Sequence, residues 1–227
     1  MQKEEIKKMF ENAVHIGHRT QKWNPRMKKY IHGERNGIHI INLEKTYEML
    51  EKALAFLSKS FAENKTVLFV STKPQSVKLL EELAKDCSMP YVVSKWIPGL
   101  LTNFTTIKSR TKYLADLKRQ VETGEISKYT KKEVSKMKKI MDKLQIALGG
   151  VQNMTSKPDV VFVVDALRDK IVVKEARRMK IPVVGIVDTN ADPSGLAYPI
   201  PGNDDAIKSL TYFLDTIKGV YKKAKNK

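Results

Sequence analysis

Four side chains in the 227-residue sequence could together bind a metal ion. Asp188 ends an apolar segment, and Asp204 and Asp205 open the predicted last helix. If these segments converge at the carboxyl edge of a parallel sheet, His18 could join them to bind Zn²⁺ or Mg²⁺. Such an ion would tie the N-terminal segment to the sheet edge. The alternative is that Asp188 caps a turn and Asp204 caps a helix, with no metal or other cofactor required.

A basic segment, residues 18–35, is the strongest candidate for binding a polyanion. It contains a single acid, Glu34, and its cations are interleaved with Trp23 and Tyr30. Lysine and arginine reach phosphates, and aromatic rings stack on exposed bases; the alternative is that the rings anchor the segment and the cations are merely solvated. The predicted RNA contacts are Arg19, Lys22, Trp23, Arg26, Lys28, Lys29 and Arg35, with Lys95, Lys108 and Arg110 as further phosphate contacts.

The overall composition supports a nucleic-acid partner. Forty-two Lys and Arg oppose 25 Asp and Glu, so the formal net charge is +17. Hydrophobic residues make up 41% of the chain, which is enough for a buried core, and no apolar stretch is long enough to cross a bilayer. The single cysteine, Cys87, excludes an internal disulfide and is typical of a reducing cytoplasm, and we expect no secretory signal.

The motifs of nucleotide-binding enzymes do not occur in the sequence. Neither G-x-G-x-x-G nor G-x-x-x-x-G-K-[ST] follows a predicted strand. We therefore predict a protein that is not an enzyme. Two alternatives remain: an RNA-modifying enzyme that uses Asp188 and Asp205, and a scaffold that docks proteins through a helical hairpin.

Helical and extended patterns alternate along most of the chain, which predicts a mostly parallel sheet with helices on both faces. Asn42 should cap the second helix, and Thr72 with Gln75 forms a capping-box pattern before the third. Residues 15–37 predict an ordered loop because Gly, Pro and Asn break any periodicity. The predicted helices are 3–14, 44–63, 73–86, 170–180 and 204–223, and the predicted strands are 38–43, 66–71, 90–94, 159–165 and 182–188.

Residues 105–149 interrupt this alternation with apolar side chains at heptad spacing. Two such stripes, with Arg110 breaking the first, predict an antiparallel coiled-coil hairpin whose tip lies at 122–130. Gly149 and Gly150 should end its second helix. The predicted domains are therefore an α/β body, 1–104 and 150–227, and an inserted hairpin, 105–149, with a frayed basic tail at 222–227.

Several longer motifs resemble the bacterial small-ribosomal-subunit protein number two family (universal ribosomal protein family two). They occur in the family's order, and the resemblance spans nearly the whole chain. One departure is the turn at 96–99, Trp-Ile-Pro-Gly, where the family usually has a Trp-Leu-Gly-Gly-like sequence. The motifs are GHRT at 17–20, WNPRM at 23–27, IINLEKT at 40–46, LLTN at 100–103, PD at 158–159, VDTNADP at 187–193 and IPGNDDA at 200–206.

The resemblance implies a flavodoxin-like α/β body with an inserted helical hairpin. It also implies a structural protein of the small ribosomal subunit in the cytoplasm. Its expected partners are small-subunit ribosomal RNA and neighbouring ribosomal proteins. Among these is the largest small-subunit protein, which brings messenger RNA to the ribosome.

Overall fold

The structure is a computed structural model that describes residues 2–225. Five of its strands form one parallel sheet in the order β5-β4-β6-β7-β8, and the N-terminal three form a small antiparallel sheet. The helices are α1 Gln2–Glu11, α2 Leu43–Ala62, α3 Pro74–Asp86, α4 Phe104–Glu122, α5 Lys131–Leu148, α6 Lys170–Arg178 and α7 Ile207–Lys225; the strands are β1 Ile16–Arg19, β2 Ile31–Arg35, β3 Ile38–Ile41, β4 Val67–Val70, β5 Tyr91–Val92, β6 Val160–Val163, β7 Val183–Val187 and β8 Tyr198–Pro201.

The five-stranded sheet confirms the predicted α/β class. Strands β4, β6 and β7 are buried at every residue, because parallel strands are covered on both faces. Their alternating side chains feed two separate cores, so Phe69 faces one core while Leu68 and Val70 face the other. We call the layer containing α2, α3 and α7 the first face. The layer containing α6, the 96–107 segment and the turn around Met27 is the second face.

The edge strand β8 is missing from the sequence-based prediction. It contains Pro199 and Pro201, which cannot donate backbone hydrogen bonds and therefore weaken the strand pattern. At the sheet edge, where only one neighbour is needed, β8 still pairs in parallel with β7 from Tyr198 to Pro201. In the described residues no helix is both long and apolar enough to cross a membrane.

The prediction that residues 15–37 form a loop is wrong in part. Strands β1 and β2 both lie in this segment and pair antiparallel with β3. Asn36 and Gly37 have φ of 53° and 73°, as a two-residue hairpin turn requires. The sequence pair Asn36-Gly37 is thus a hairpin signal, which the loop prediction did not use.

Helices α4 and α5 occupy most of the predicted hairpin segment. The buried stripe of α4 contains Ile107, Thr111, Leu114 and Leu117, so Thr111 takes the inward position and Arg110 is exposed. Gly149 does not adopt a left-handed cap, since its φ is −55°. Gly150 instead permits close packing, because a Cβ there would lie 2.2 Å from the Tyr91 carbonyl oxygen.

Several predicted helix ends differ from the structure: α1 ends at Glu11 rather than 14, and α7 begins at Ile207 rather than 204. Asn42 caps α2 as expected, since its side chain accepts hydrogen bonds from Glu44 N and Lys45 N. The capping box at Thr72 does not form, and α3 begins after Lys73 without a side-chain cap. At the C-terminus α7 continues to Lys225, so residues 222–225 are helical rather than frayed, while residues 226 and 227 lie outside the described part of the chain.

Candidate nucleic-acid interface

The basic N-terminal segment is held against the carboxyl edge of the sheet by backbone contacts. His18 N donates to Thr189 Oγ1 at 2.9 Å, and Asn24 N donates to the Thr189 carbonyl oxygen at 2.8 Å. Gly17 allows this approach, because a Cβ there would lie 2.6 Å from Thr189 Cγ2. Met27 and Tyr30, in the 3-10 helix Pro25–Tyr30, are buried in the second core. The segment is therefore ordered by the fold before any ligand binds.

The cations of this segment point away from its buried side chains. Arg19, Lys22, Lys28 and Arg35 are exposed, and none pairs with a carboxylate within 4.0 Å in the described part of the chain. Such uncompensated charges attract phosphates, because binding releases the counterions that surround a nucleic acid.

Three other predicted contacts are already engaged within the protein. Arg26 pairs with Asp192 and donates to Ser194 Oγ at 2.9 Å, although its side chain remains 64% exposed. Lys29 lies over the Tyr30 ring, with Nζ 4.8 Å from the centroid. Trp23 is half-buried beside His39, with ring centroids 5.3 Å apart, so it anchors the segment as one of the two alternatives expected.

The remaining predicted contacts flank the start of α4. Lys95, Lys108 and Arg110 are exposed, and Lys108 Nζ donates to the Thr155 carbonyl oxygen at 3.3 Å. The turn before α4 is held by buried Glu175 of α6, which the sequence-based prediction missed. The Glu175 carboxylate accepts hydrogen bonds from Trp96 Nε1, Gly99 N, Leu101 N, Thr102 N and Thr102 Oγ1, at 2.8–3.2 Å.

These hydrogen bonds determine the charge of Glu175. Burial alone would raise the pKa of this carboxyl group, but the bonds from Gly99, Trp96, Thr102 and Leu101 hold it below its ordinary value. No periodicity signals such a role, because a glutamate in a basic helix normally lies in solvent.

The four predicted metal ligands meet at the carboxyl edge of the sheet. His18 Nδ1 lies 3.1 Å from Asp188 Oδ1, and His18 Nε2 lies 3.3 Å from Asp205 Oδ2. One ligand atom each from His18, Asp188 and Asp204 falls within 4.8 Å of the others. The alternative roles are present too: Asp188 accepts from Thr189 N and Oγ1, whereas Asn203, not Asp204, caps the turn before α7.

Lys73 and Asp165 extend this cluster and were missed from the sequence. Lys73 Nζ lies 2.6 Å from both Asp204 Oδ1 and Asp205 Oδ1, and 3.4 Å from Asp165 Oδ2. Lys73 follows β4 and Asp165 follows β6, so the rule that places ligands at strand carboxyl ends could have found them. These two strands lie at the point where the strand order reverses, the usual ligand position, and the protein's own ion pairs fill it.

Burial and neighbouring charges shift the pKa values of three groups in the cluster. Burial raises the pKa of Asp204 to about 7, with repulsion from Asp188 and Asp165 adding to the effect. The hydrogen bond to Asp188 raises the pKa of His18, although burial opposes it. For Lys73 burial acts downward, but the carboxylates of Asp204 and Asp205 outweigh it and raise the pKa. The cluster thus joins four carboxyl groups, those of Asp165, Asp188, Asp204 and Asp205, to one lysine and one histidine.

The chain is similar in sequence to several known ribosomal proteins. The chain is 47% identical over 208 residues to the small ribosomal subunit protein uS2 of Campylobacter concisus, covering 92% of this chain and 79% of that protein. It is 43% identical over 221 residues to uS2 of Treponema pallidum, covering 97% and 76%. With uS2 of Dictyoglomus thermophilum the identity is 47% over 205 residues, covering 90% and 83%.

The fold, the basic surface and these similarities define a ribosomal protein. The model of one family, ribosomal protein S2, matches residues 9–224. The chain belongs to the ribosomal protein S2 family. This family is structural and non-enzymatic, and it generally needs no cofactor. The resemblance noted from the sequence motifs is thereby confirmed.

Proposed function

We propose that this chain is a structural constituent of the small ribosomal subunit in the cytoplasm and binds its ribosomal RNA through residues 18–35. The observation that carries the proposal is the set of exposed, unpaired cations on a segment docked against the sheet. Pre-ordering lowers the entropic cost of binding, and phosphate contacts supply most of the affinity. We expect RNA shape rather than base sequence to select the site.

The hairpin and the turn before it provide a second basic surface in this proposal. Residues 105–149 act as an inserted hairpin, and Lys95, Lys108 and Arg110 at its base contact phosphates. Neighbouring small-subunit proteins, including the largest one, bind elsewhere on the body and link it to messenger RNA. The family resemblance supports this last role.

The test uses a loop variant with four changes, Arg19→Gln, Lys22→Gln, Lys28→Gln and Arg35→Gln. A control variant carries four changes on exposed lysines of the first face: Lys52→Gln, Lys208→Gln, Lys222→Gln and Lys223→Gln. Both lose four charges, so a general charge effect acts equally on them. We expect the loop variant to be depleted from small subunits in sucrose gradients and the control to be retained. Equal occupancy of the two variants would contradict the role of this segment.

Salt distinguishes this function from docking through apolar contacts alone. The logarithm of the affinity for small-subunit ribosomal RNA should fall linearly with the logarithm of the salt concentration. Each phosphate contact should contribute about 0.7 to 0.9 to the slope. A protein scaffold would show little dependence on salt. An RNA-modifying enzyme that used Asp188 and Asp205 would turn over RNA, and its turnover would persist in the loop variant at saturating RNA. We expect no turnover of RNA by either protein.

We also propose that His18, Asp188 and Asp204, with Asp205 at the rim, bind a divalent cation that ties the N-terminal segment to the sheet. The supporting observation is Asp204 Oδ2, which is buried without a hydrogen-bond partner in the described residues, while Lys73 engages Oδ1. One imidazole nitrogen with carboxylate oxygens suits Zn²⁺ better than Mg²⁺, which prefers oxygen ligands alone. The ion would position His18 and would perform no reaction.

Elemental analysis of the purified protein and of an Asp204→Asn variant tests this site. We expect about one equivalent of zinc in the wild type, less in the variant, and a rise in the unfolding temperature when zinc is added to stripped wild type. Stripped protein whose unfolding temperature responds to neither Zn²⁺ nor Mg²⁺ would leave His18 as a protonated bridge between Asp188 and Asp205. That outcome would contradict the metal proposal and leave the RNA proposal intact.

A further inference from the structure

In the segment 165–181, which forms part of the second face, the acidic side chains point inward and the basic side chains point to solvent. Its three acids all point inward: Asp165 toward Lys73, Asp169 toward Thr72, and Glu175 toward the turn before α4. Each is at most 8% exposed. The segment's six cations are all exposed: Arg168, Lys170, Lys174, Arg177, Arg178 and Lys180.

The acids of this segment cannot neutralise its cations. None of the six cations has a carboxylate within 4.0 Å in the part of the chain that is described. Lys170, Lys174, Arg177 and Arg178 are spaced at i, i+4, i+7 and i+8, so they share one side of α6 over about 12 Å. Four unpaired cations on one short helix repel each other, and a close array of anions would relieve that repulsion.

This basic helix is continuous with the N-terminal segment. A shallow groove of about 320 Å³ lies between α6 and the 193–197 turn, lined among others by Arg177, Lys180 and Ser194. Ser194 Oγ accepts a hydrogen bond from Arg26 on the far side of that turn. Gly195 packs closely on α6, since a Cβ there would lie 2.8 Å from Val173 Cγ1. The cations of α6 and of residues 18–35 thus border the same turn.

We propose that the exposed side of α6 is a further ribosomal-RNA contact, at which Lys170, Lys174, Arg177 and Arg178 bind consecutive phosphates of one backbone. This inference rests on the proposed RNA-binding function and extends its surface from residues 18–35 across the 193–197 turn. Phosphate is the favoured ligand because the surface offers cations on a rigid helix without an exposed acid. A protein neighbour carries hydrogen-bond donors beside its acids, so a surface that binds one would also offer some hydrogen-bond acceptors.

The experiment compares three full-length proteins: wild type, the control variant defined above, and an α6 variant. The α6 variant carries Lys170→Gln, Lys174→Gln, Arg177→Gln and Arg178→Gln, all at exposed positions where glutamine maintains the helix. Equal unfolding temperatures establish that all three fold. Binding to transcribed small-subunit ribosomal RNA is then measured at several salt concentrations.

We expect the α6 variant to lose about tenfold or more in affinity at 0.1 M salt, and its logarithmic salt slope to fall by about 3. The control variant should keep the wild-type slope. Equal slopes in the α6 and control variants would overturn the inference while leaving the RNA function standing. Full RNA affinity combined with lost incorporation into subunits would assign the face to an acidic protein and also overturn it. A wild type that does not bind the RNA would refute both proposals.

Discussion

The two faces of the parallel sheet use their acids in different ways. On the first face some lysines pair with accessible acids close by, as in Lys85 with Glu81 on α3 and Lys218 of α7 with Asp86 of α3. On the second face the acids Glu175 and Asp169 are buried in structural hydrogen bonds, which leaves the cations of α6 unpaired.

Exposed charge and buried charge have different purposes in this protein. Pairs at the surface contribute little to stability because water screens them. A buried carboxylate with several donors determines local structure, since removing it leaves those donors unsatisfied. The second face thus uses its acids for folding and its cations for a partner.

The largest expected effect is the removal of the inward acid on the second face. Glu175→Ala should lower the free energy of unfolding by about 4 kcal/mol, because it leaves buried N–H groups of the 96–102 turn without an acceptor. Urea denaturation measures the change. A loss no larger than that of an exposed glutamate such as Glu48→Ala would show that this carboxylate is not a structural element.

The same residue predicts a pH dependence. Because the folded-state pKa of Glu175 lies below its ordinary value, its stabilisation is complete above that value and is lost as pH falls through the folded-state pKa. Wild-type protein should lose stability in acid more steeply than Glu175→Ala. If urea denaturation showed that both proteins lose the same stability as the pH falls below 5, this assignment would be contradicted.

A smaller loss is expected from the cluster that lies between the two faces. Lys73→Met leaves Asp165 and Asp204 without their cation, and should cost about 2 kcal/mol because water reaches the rim at Asp205. Adding Asp204→Asn should recover part of the loss, since it removes one of the unpaired charges. Additive losses in the double variant, by the same denaturation assay, would mean that the two residues are not coupled.

The smallest effect is expected on the first face. Lys85→Gln combined with Lys218→Gln breaks two exposed ion pairs and should leave the urea midpoint unchanged within error. The salt slope for RNA binding should also stay at the wild-type value, since these lysines face away from the proposed interface. A slope reduced as much as in the α6 variant would remove the distinction between the faces.

The sequence predicts the body of the fold well because its signals are local. Buried strands such as β6 and β7 are continuous apolar segments, and Asn42 caps the helix that follows it directly. The failures come from contacts distant in sequence. Thr72 looks like a capping residue, but its side chain bonds to Asp169, 97 positions away, so the capping box does not form.

The same distinction between local signals and contacts distant in sequence applies to the candidate sites. The predicted cluster of His18, Asp188, Asp204 and Asp205 could be assembled because Asp188 follows a recognisable strand, and Asp204 and Asp205 lie just before the last helix. Lys73 was absent from that prediction because a lysine after a strand is usually solvated. The basic side of α6 was missed because its acid, Glu175, looks like a partner for the cations until the structure shows it buried among backbone donors.

Lysine acetylation tests the central claim most directly. Free protein and purified small subunits are treated with an acetylating reagent, and the modified lysines are quantified by mass spectrometry. We predict that assembly protects Lys22, Lys28, Lys170 and Lys174, while Lys52, Lys208 and Lys222 stay reactive. Protection of the first-face lysines with continued reactivity at Lys28 and Lys174 would contradict an RNA interface on the second face.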